Sequence, residues 1–162
     1  MSYFKTRRKR GGSGSGSGKI IFSLIVLLLL GGSIAIWIWQ QPKLQAMATV
    51  KEFYLYEQSG DFKKSWDLFH SEIKNRFSDE QYSQLRSQLI TQDIGATSFT
   101  FDVDKVKTKK NWRSGVNGVI MKKVYVIKVT QHFQNQFGNF DLVQEVFVVK
   151  EEGDFKVLWD YK

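Results

Sequence analysis

The chain has 162 residues, 42% hydrophobic and 15% aromatic, which supplies the core of one ordinary domain and falls short of two large ones. The absence of cysteine excludes disulfides, thiolate metal sites, cysteine nucleophiles and a lipidated cysteine, and the aromatic content excludes disorder of the whole chain. The net charge of +8 is uneven, because Lys5, Arg7, Arg8, Lys9, Arg10 and Lys19 precede residue 20 with no acid among them while the rest is close to balance.

Residues 1–19 read as a basic cytoplasmic tail whose stretch 11–18, GGSGSGSG, has the composition of a flexible spacer, natural or engineered. Residues 20–39 carry no charge. A helix of that length rises about 30 Å, the hydrocarbon thickness of a bilayer, so a transmembrane helix is predicted. Trp37 and Trp39 stand where an interfacial aromatic belt belongs. Six cations before the run against Lys43 just after it place the N-terminus in the cytoplasm and the following chain outside the cell membrane. The rival is a cleaved signal peptide, with Ala46-Met47-Ala48 as the small-x-small site. The run is longer than an ordinary secretory core of about 7–15 residues, and Ala48 lies well past its end.

Residues 43–162 are predicted to form one extracytoplasmic domain. Pro42 suits a first helical turn, Met47, Val50, Phe53 and Tyr54 recur at helical spacing, and Gly60 suits a helix stop. Asp61 is expected to cap a second helix carrying Phe62, Trp66, Phe69 and Ile73 on one face. Ser78 and Gln81 form a capping-box pattern for a third, with Tyr82, Leu85 and Leu89, and Gly95 closes the helical half. The period then changes to two. Phe99, Phe101 and Val103 alternate with polar residues, Asn117-Gly118 marks a hairpin turn, 119–133 and 140–150 read as long strands, and 152–154 turn into a last strand with Phe155, Val157, Trp159 and Tyr161 on one face. The domain is therefore α+β, helices first and an antiparallel meander after. Residues 124–127 and 146–149 are apolar on both faces, so the second face must meet the sheet's own curled interior, a ligand, or another copy of the chain.

The helix, Gly-Asp turn and helix over 50–70, the Ser78-Asp-Glu-Gln-Tyr opening and the closing hairpin over 148–161 resemble the nuclear transport factor 2-like superfamily. The nearest likeness is to the membrane-proximal domain of class B penicillin-binding proteins and to extracytoplasmic domains of conjugation and type IV secretion components. The resemblance covers about residues 45–161 and implies a cone of about three helices packed on a curved antiparallel sheet, its pocket empty, ligand-filled or catalytic in different members. It ends where a transpeptidase domain would begin, and the acylating Ser-x-x-Lys pair of those proteins is not expected here.

No metal site or cofactor is expected. His70 and His132 lack the i, i+4 spacing of a helical metal pair, and neither a Gly-x-Ser-x-Gly nor a phosphate-cradling loop before a helix is present. Asp102 and Asp104, the natural candidates for a catalytic acid, alternate with Phe101 and Val103 and so point away from the apolar side. The candidate partner-binding set is basic and aromatic: Lys105, Lys107, Lys109, Lys110, Trp112, Arg113, Lys122 and Lys123, with no acid between Asp104 and Asp141. The candidate pocket set is Trp66, Phe69, Tyr125 and Trp159. The expected function is a non-catalytic, single-pass bacterial envelope protein. Its outer domain would bind an envelope protein or anionic wall polymer in cell-wall synthesis, secretion or conjugation machinery, with self-association through the second apolar face as a further option. Nucleic acid is disfavoured by the outside location. The alternative is a pocket for a small apolar ligand or lipid, of isomerase or dehydratase type.

Overall fold

The computed structural model describes residues 20–29, 41–115 and 118–159. The chain divides into two units, residues 1–39 and 40–162. In the first, residues 20–29 are helical. The basic head and residues 30–39 of the predicted span lie outside the described residues. No helix among the described residues is long and apolar enough to cross a membrane.

The second unit is α+β, with helices against one curled antiparallel sheet. Helix α1, Pro42–Ser59, starts with proline in its first turn and buries Ala46, Val50, Phe53, Tyr54 and Glu57 along one stripe. It ends at Gly60, whose φ of 76° lets the N–H groups of Gly60 and Asp61 turn back onto the carbonyls of Glu57 and Tyr56, satisfying the last turn. Asp61 caps α2, Phe62–Asp67, as expected. The predicted continuation to Ile73 is corrected. The backbone leaves the helix at Leu68, Val157 N–H donates to Leu68 O and His70 N–H donates to Val157 O, and only then does the short α3, Ser71–Lys74, begin. An edge strand thus captures three residues whose side-chain spacing is helical. Ser78 and Gln81 form the full capping box of α4, Asp79–Gln88, which runs into a π-helical turn over Leu89–Asp93.

The strands are β1 (Phe99–Val103), β2 (Lys107–Arg113), β3 (Ile120–Asn135), β4 (Gly138–Glu151) and β5 (Asp154–Leu158), in the order β1-β3-β4-β5. The long β3 takes both short strands on the same edge, β1 along residues 129–133 and β2 along 120–126. Asn117, Asp160 and Tyr161 lie outside the described residues.

Strand alternation gives the two sheet faces different tasks. One face meets the helices. Tyr54 of α1 packs against Phe99 and Phe101 of β1, and Gln144 of β4 donates a hydrogen bond to the Tyr54 hydroxyl. The other face carries Val124, Val126, Phe147, Val149 and Leu158, all buried within this chain. Trp112 stacks on Phe147 with centroids 4.2 Å apart, and the end of the β2–β3 connection is tied to α3 by Glu72, which accepts from the Ser114 hydroxyl and the Val119 N–H. The sheet therefore curls over its own second face. Of the three things the second face was expected to meet, it is the chain itself that covers these side chains.

Candidate functional site

The eight residues expected to bind a partner do not form one patch. The register pairs Lys107 with Val126 and Lys109 with Val124, which puts these lysines on the side of Glu145 and Phe147. It pairs Lys110 with Lys123, which puts those two on the opposite side with Tyr125. Lys109 is engaged within the fold: its Nζ lies 3.2 Å from Glu145 and 5.1 Å over the Phe147 ring. Trp112, of the expected partner-binding set, is half-buried in its stack on Phe147. Asn111, at φ 50°, breaks the strand geometry just before it. Arg113 is exposed at the end of β2.

That leaves two groups of cations. Lys105 in the β1–β2 link and Lys107 and Lys110 on β2 line the edge of the sheet, and none forms an ion pair among the described residues. Among the described residues β2 hydrogen-bonds to β3 alone, so its outer N–H and C=O groups are open to another chain. The second group, Lys122 and Lys123 of β3 with Lys150 of β4, lines a groove where α1 begins. Lys110 and Lys123 stand directly opposite each other, an arrangement of like charges that costs stability unless an anion lies between or above them.

The expected pocket set is also dispersed. Phe69 is buried and sits in an aromatic cluster with Phe53, Tyr82 and Trp159, at centroid distances of 5.1, 5.0 and 4.8 Å. Trp66 lies at the rim, donating from Nε1 to Phe77 O at 3.3 Å beneath the Lys74 ammonium. Tyr125 packs on Phe155 in the basic groove. Phe53, Phe69, Tyr82 and Trp159 thus form one packed cluster of rings.

Two polar clusters escaped the sequence reading. Glu57 is fully buried inside the helical half. Its Oε1 accepts from Ser65 and Tyr82 hydroxyls at 2.6 Å each, and its Oε2 accepts from Arg86 at 2.5 Å. Burial, and then the Glu57 charge, push the Tyr82 hydroxyl well above the ordinary tyrosine range. The available signal was position: residue 57 continues the stripe of 50, 53 and 54, so its carboxylate faces inward. The arrangement satisfies the carboxylate and leaves it no free lone pair aimed at a substrate, so its chemistry is structural.

The second cluster is on the exposed face. His132 Nδ1 lies 2.7 Å from Asp141 and Nε2 3.1 Å from Asp102, joining β1, β3 and β4. Hydrogen bonding to Asp141, then to Asp102, raises the imidazole pKa. No acid lies near His132 in sequence; the register, which sets His132 opposite both Asp141 and Thr100, brings the two carboxylates in. Asp102 and Asp104 do face away from the helices, and Asp104 pairs with Lys128 at 2.9 Å.

A Ser-x-x-Lys spacing is in fact present, at Ser71-Glu-Ile-Lys74. The two side chains are turned to other work. The Ser71 hydroxyl donates to Glu151 at 2.5 Å, while Lys74 Nζ donates to Asp67 O at 3.0 Å and covers Trp66. Among the described residues no group of three or more histidines, aspartates or glutamates could hold a metal ion. No protein-family model and no curated protein matches the chain.

Proposed function

We propose that this chain is a single-pass envelope protein of the nuclear transport factor 2-like kind, anchored by residues 20–39, with its basic head in the cytoplasm. Its outer domain is a non-catalytic docking module for an acidic partner in a membrane or wall assembly. The observation that carries the docking role is β2: an open strand edge with Lys105, Lys107 and Lys110 exposed and unpaired among the described residues. Lysines on such an edge repel a second copy of the same strand and attract an acidic one, so one feature supplies both solubility and choice of partner. The anchor is supported by the uncharged run and the charge asymmetry around it. A catalytic or ligand-filled cone has less support, because aromatic rings occupy the interior and Glu57 is fully engaged.

The test is a photocrosslinker at Thr108, in the middle of β2, activated in intact cells. A stoichiometric adduct to one envelope protein is expected, lost when Lys105, Lys107 and Lys110 are all changed to Glu. No adduct above background, or one that survives the charge reversal, would overturn the docking role.

A further inference from the structure

We infer that the groove at the start of α1 is a docking surface for an anionic bilayer, holding the outer domain against the membrane that anchors its own chain. The inference rests on residues 20–39 being a membrane span. The groove is about 700 Å³, bounded by Pro42 of α1, Ile120, Lys122 and Lys123 of β3, and Lys150 of β4. Its floor is aromatic, with Tyr125 and Phe155 edge to face at 5.6 Å. The ammonium groups of Lys123 and Lys150 lie 5.0 and 6.0 Å over these two rings.

Three features select this occupant. The first is charge. No acid lines the groove, its lysines have no ion-pair partner among the described residues, and Lys110 faces Lys123 across the strand pair. The second is the apolar rim. Val119 and Ile120 are 62% and 52% exposed beside the lysines, which is the juxtaposition of apolar and cationic groups that suits a headgroup boundary. The third is covalent reach. Pro42 follows Trp39, the last residue of the uncharged run, by three peptide steps, which span at most about 10 Å. The groove wall that Pro42 forms is thus held within roughly a Debye length of the headgroups, where lysines feel an anionic surface.

The native chain lacks cysteine, so a fluorophore on Ile120→Cys reports one place. The full-length protein is reconstituted into nanodiscs of phosphatidylcholine, with and without phosphatidylglycerol, and the label is challenged with acrylamide, a neutral quencher. The expected result is protection in the anionic discs only, reversed by salt. Changing Lys122, Lys123 and Lys150 together to Gln should lower the docked-to-free ratio by about a hundredfold, at the typical strength of three cations near an anionic surface. Label protection is the readout because the basic head can by itself hold the chain to anionic lipid. Equal quenching in both disc types overturns the groove and leaves the anchor standing. Failure to enter phosphatidylcholine discs overturns the anchor and with it this inference. Protection in phosphatidylcholine discs by soluble polyphosphate, with none from phosphatidylglycerol, assigns the groove to a soluble anionic polymer and overturns the bilayer.

Discussion

Glu57 and Gln131 are both buried in the core, at 1% exposure each, and their surroundings give substitutions at the two positions opposite signs. Glu57 is matched by Arg86, whose side chain is only 15% exposed. Glu57→Gln leaves that guanidinium without a counter-charge, and a loss of about 3–5 kcal/mol is expected. Urea unfolding followed by tryptophan fluorescence measures it, and an unchanged midpoint would contradict the assignment. Gln131 is different: neither its amide nitrogen nor its oxygen has a hydrogen-bond partner among the described residues. Gln131→Met keeps the shape and removes the unsatisfied groups, so the same experiment should show a gain of about 1–3 kcal/mol. Neither behaviour could be read from the sequence with certainty of sign. Both residues fall on stripes that point inward, but whether a partner waits there depends on chain far away, Arg86 for one and nothing for the other.

At the level of elements, legibility follows the range of the deciding interaction. Local signals held: Pro42 opens α1, the Gly60 turn closes it, Asp61 caps α2, and Ser78 with Gln81 starts α4. The helix expected through Phe69 failed because hydrogen bonds from Val157, far along the chain, outcompete the local ones at residues 68–70. The basic cluster looked continuous in sequence, yet strand alternation divides it between two faces, since adjacent residues of a strand point opposite ways. The same alternation creates the His132 bridge, from which a pH response follows. With a carboxylate at each ring nitrogen, the protonated ring donates to both. Its folded pKa is raised, so the contribution to stability is fully present below the unfolded value of about 6.5 and is lost as pH rises through the higher folded value. An NMR titration of His132 should give a midpoint above 6.5, lowered more by Asp141→Asn than by Asp102→Asn. A midpoint at or below that of a free imidazole would contradict the bridge.

For the whole molecule, the shift from helical to strand periodicity was enough to give the α+β class and the order of its halves, because each half has its own period and its own caps. The proposed orientation, with the head of residues 1–19 in the cytoplasm, rests on charge alone and is open to a direct check. With Thr108→Cys as the sole thiol, a membrane-impermeant maleimide applied to intact cells should label the protein. Replacing Arg7, Arg8, Lys9 and Arg10 with Gln should reduce the labelled fraction as inverted molecules accumulate. Labelling of Thr108→Cys only after permeabilisation, in the protein whose basic head is unaltered, would reverse the proposed orientation.

The path of α1 has a further consequence, for the order of assembly. Its buried stripe is the first part of the α+β unit to be made, and it contacts β1, β3, β4 and β5, the last of which carries Val157. Val50, Phe53 and Tyr54 therefore gain their full cover only once β5 has been made, although Phe69 and β1 meet Phe53 and Tyr54 earlier. The β3–β4 hairpin, whose pairing is local in sequence, is free to close first and serve as the template. Completion is a late docking step, and a truncation that removes only β5 should uncover the part of the α1 stripe that β5 covers, an apolar surface of the kind that quality-control proteases and holdases recognise.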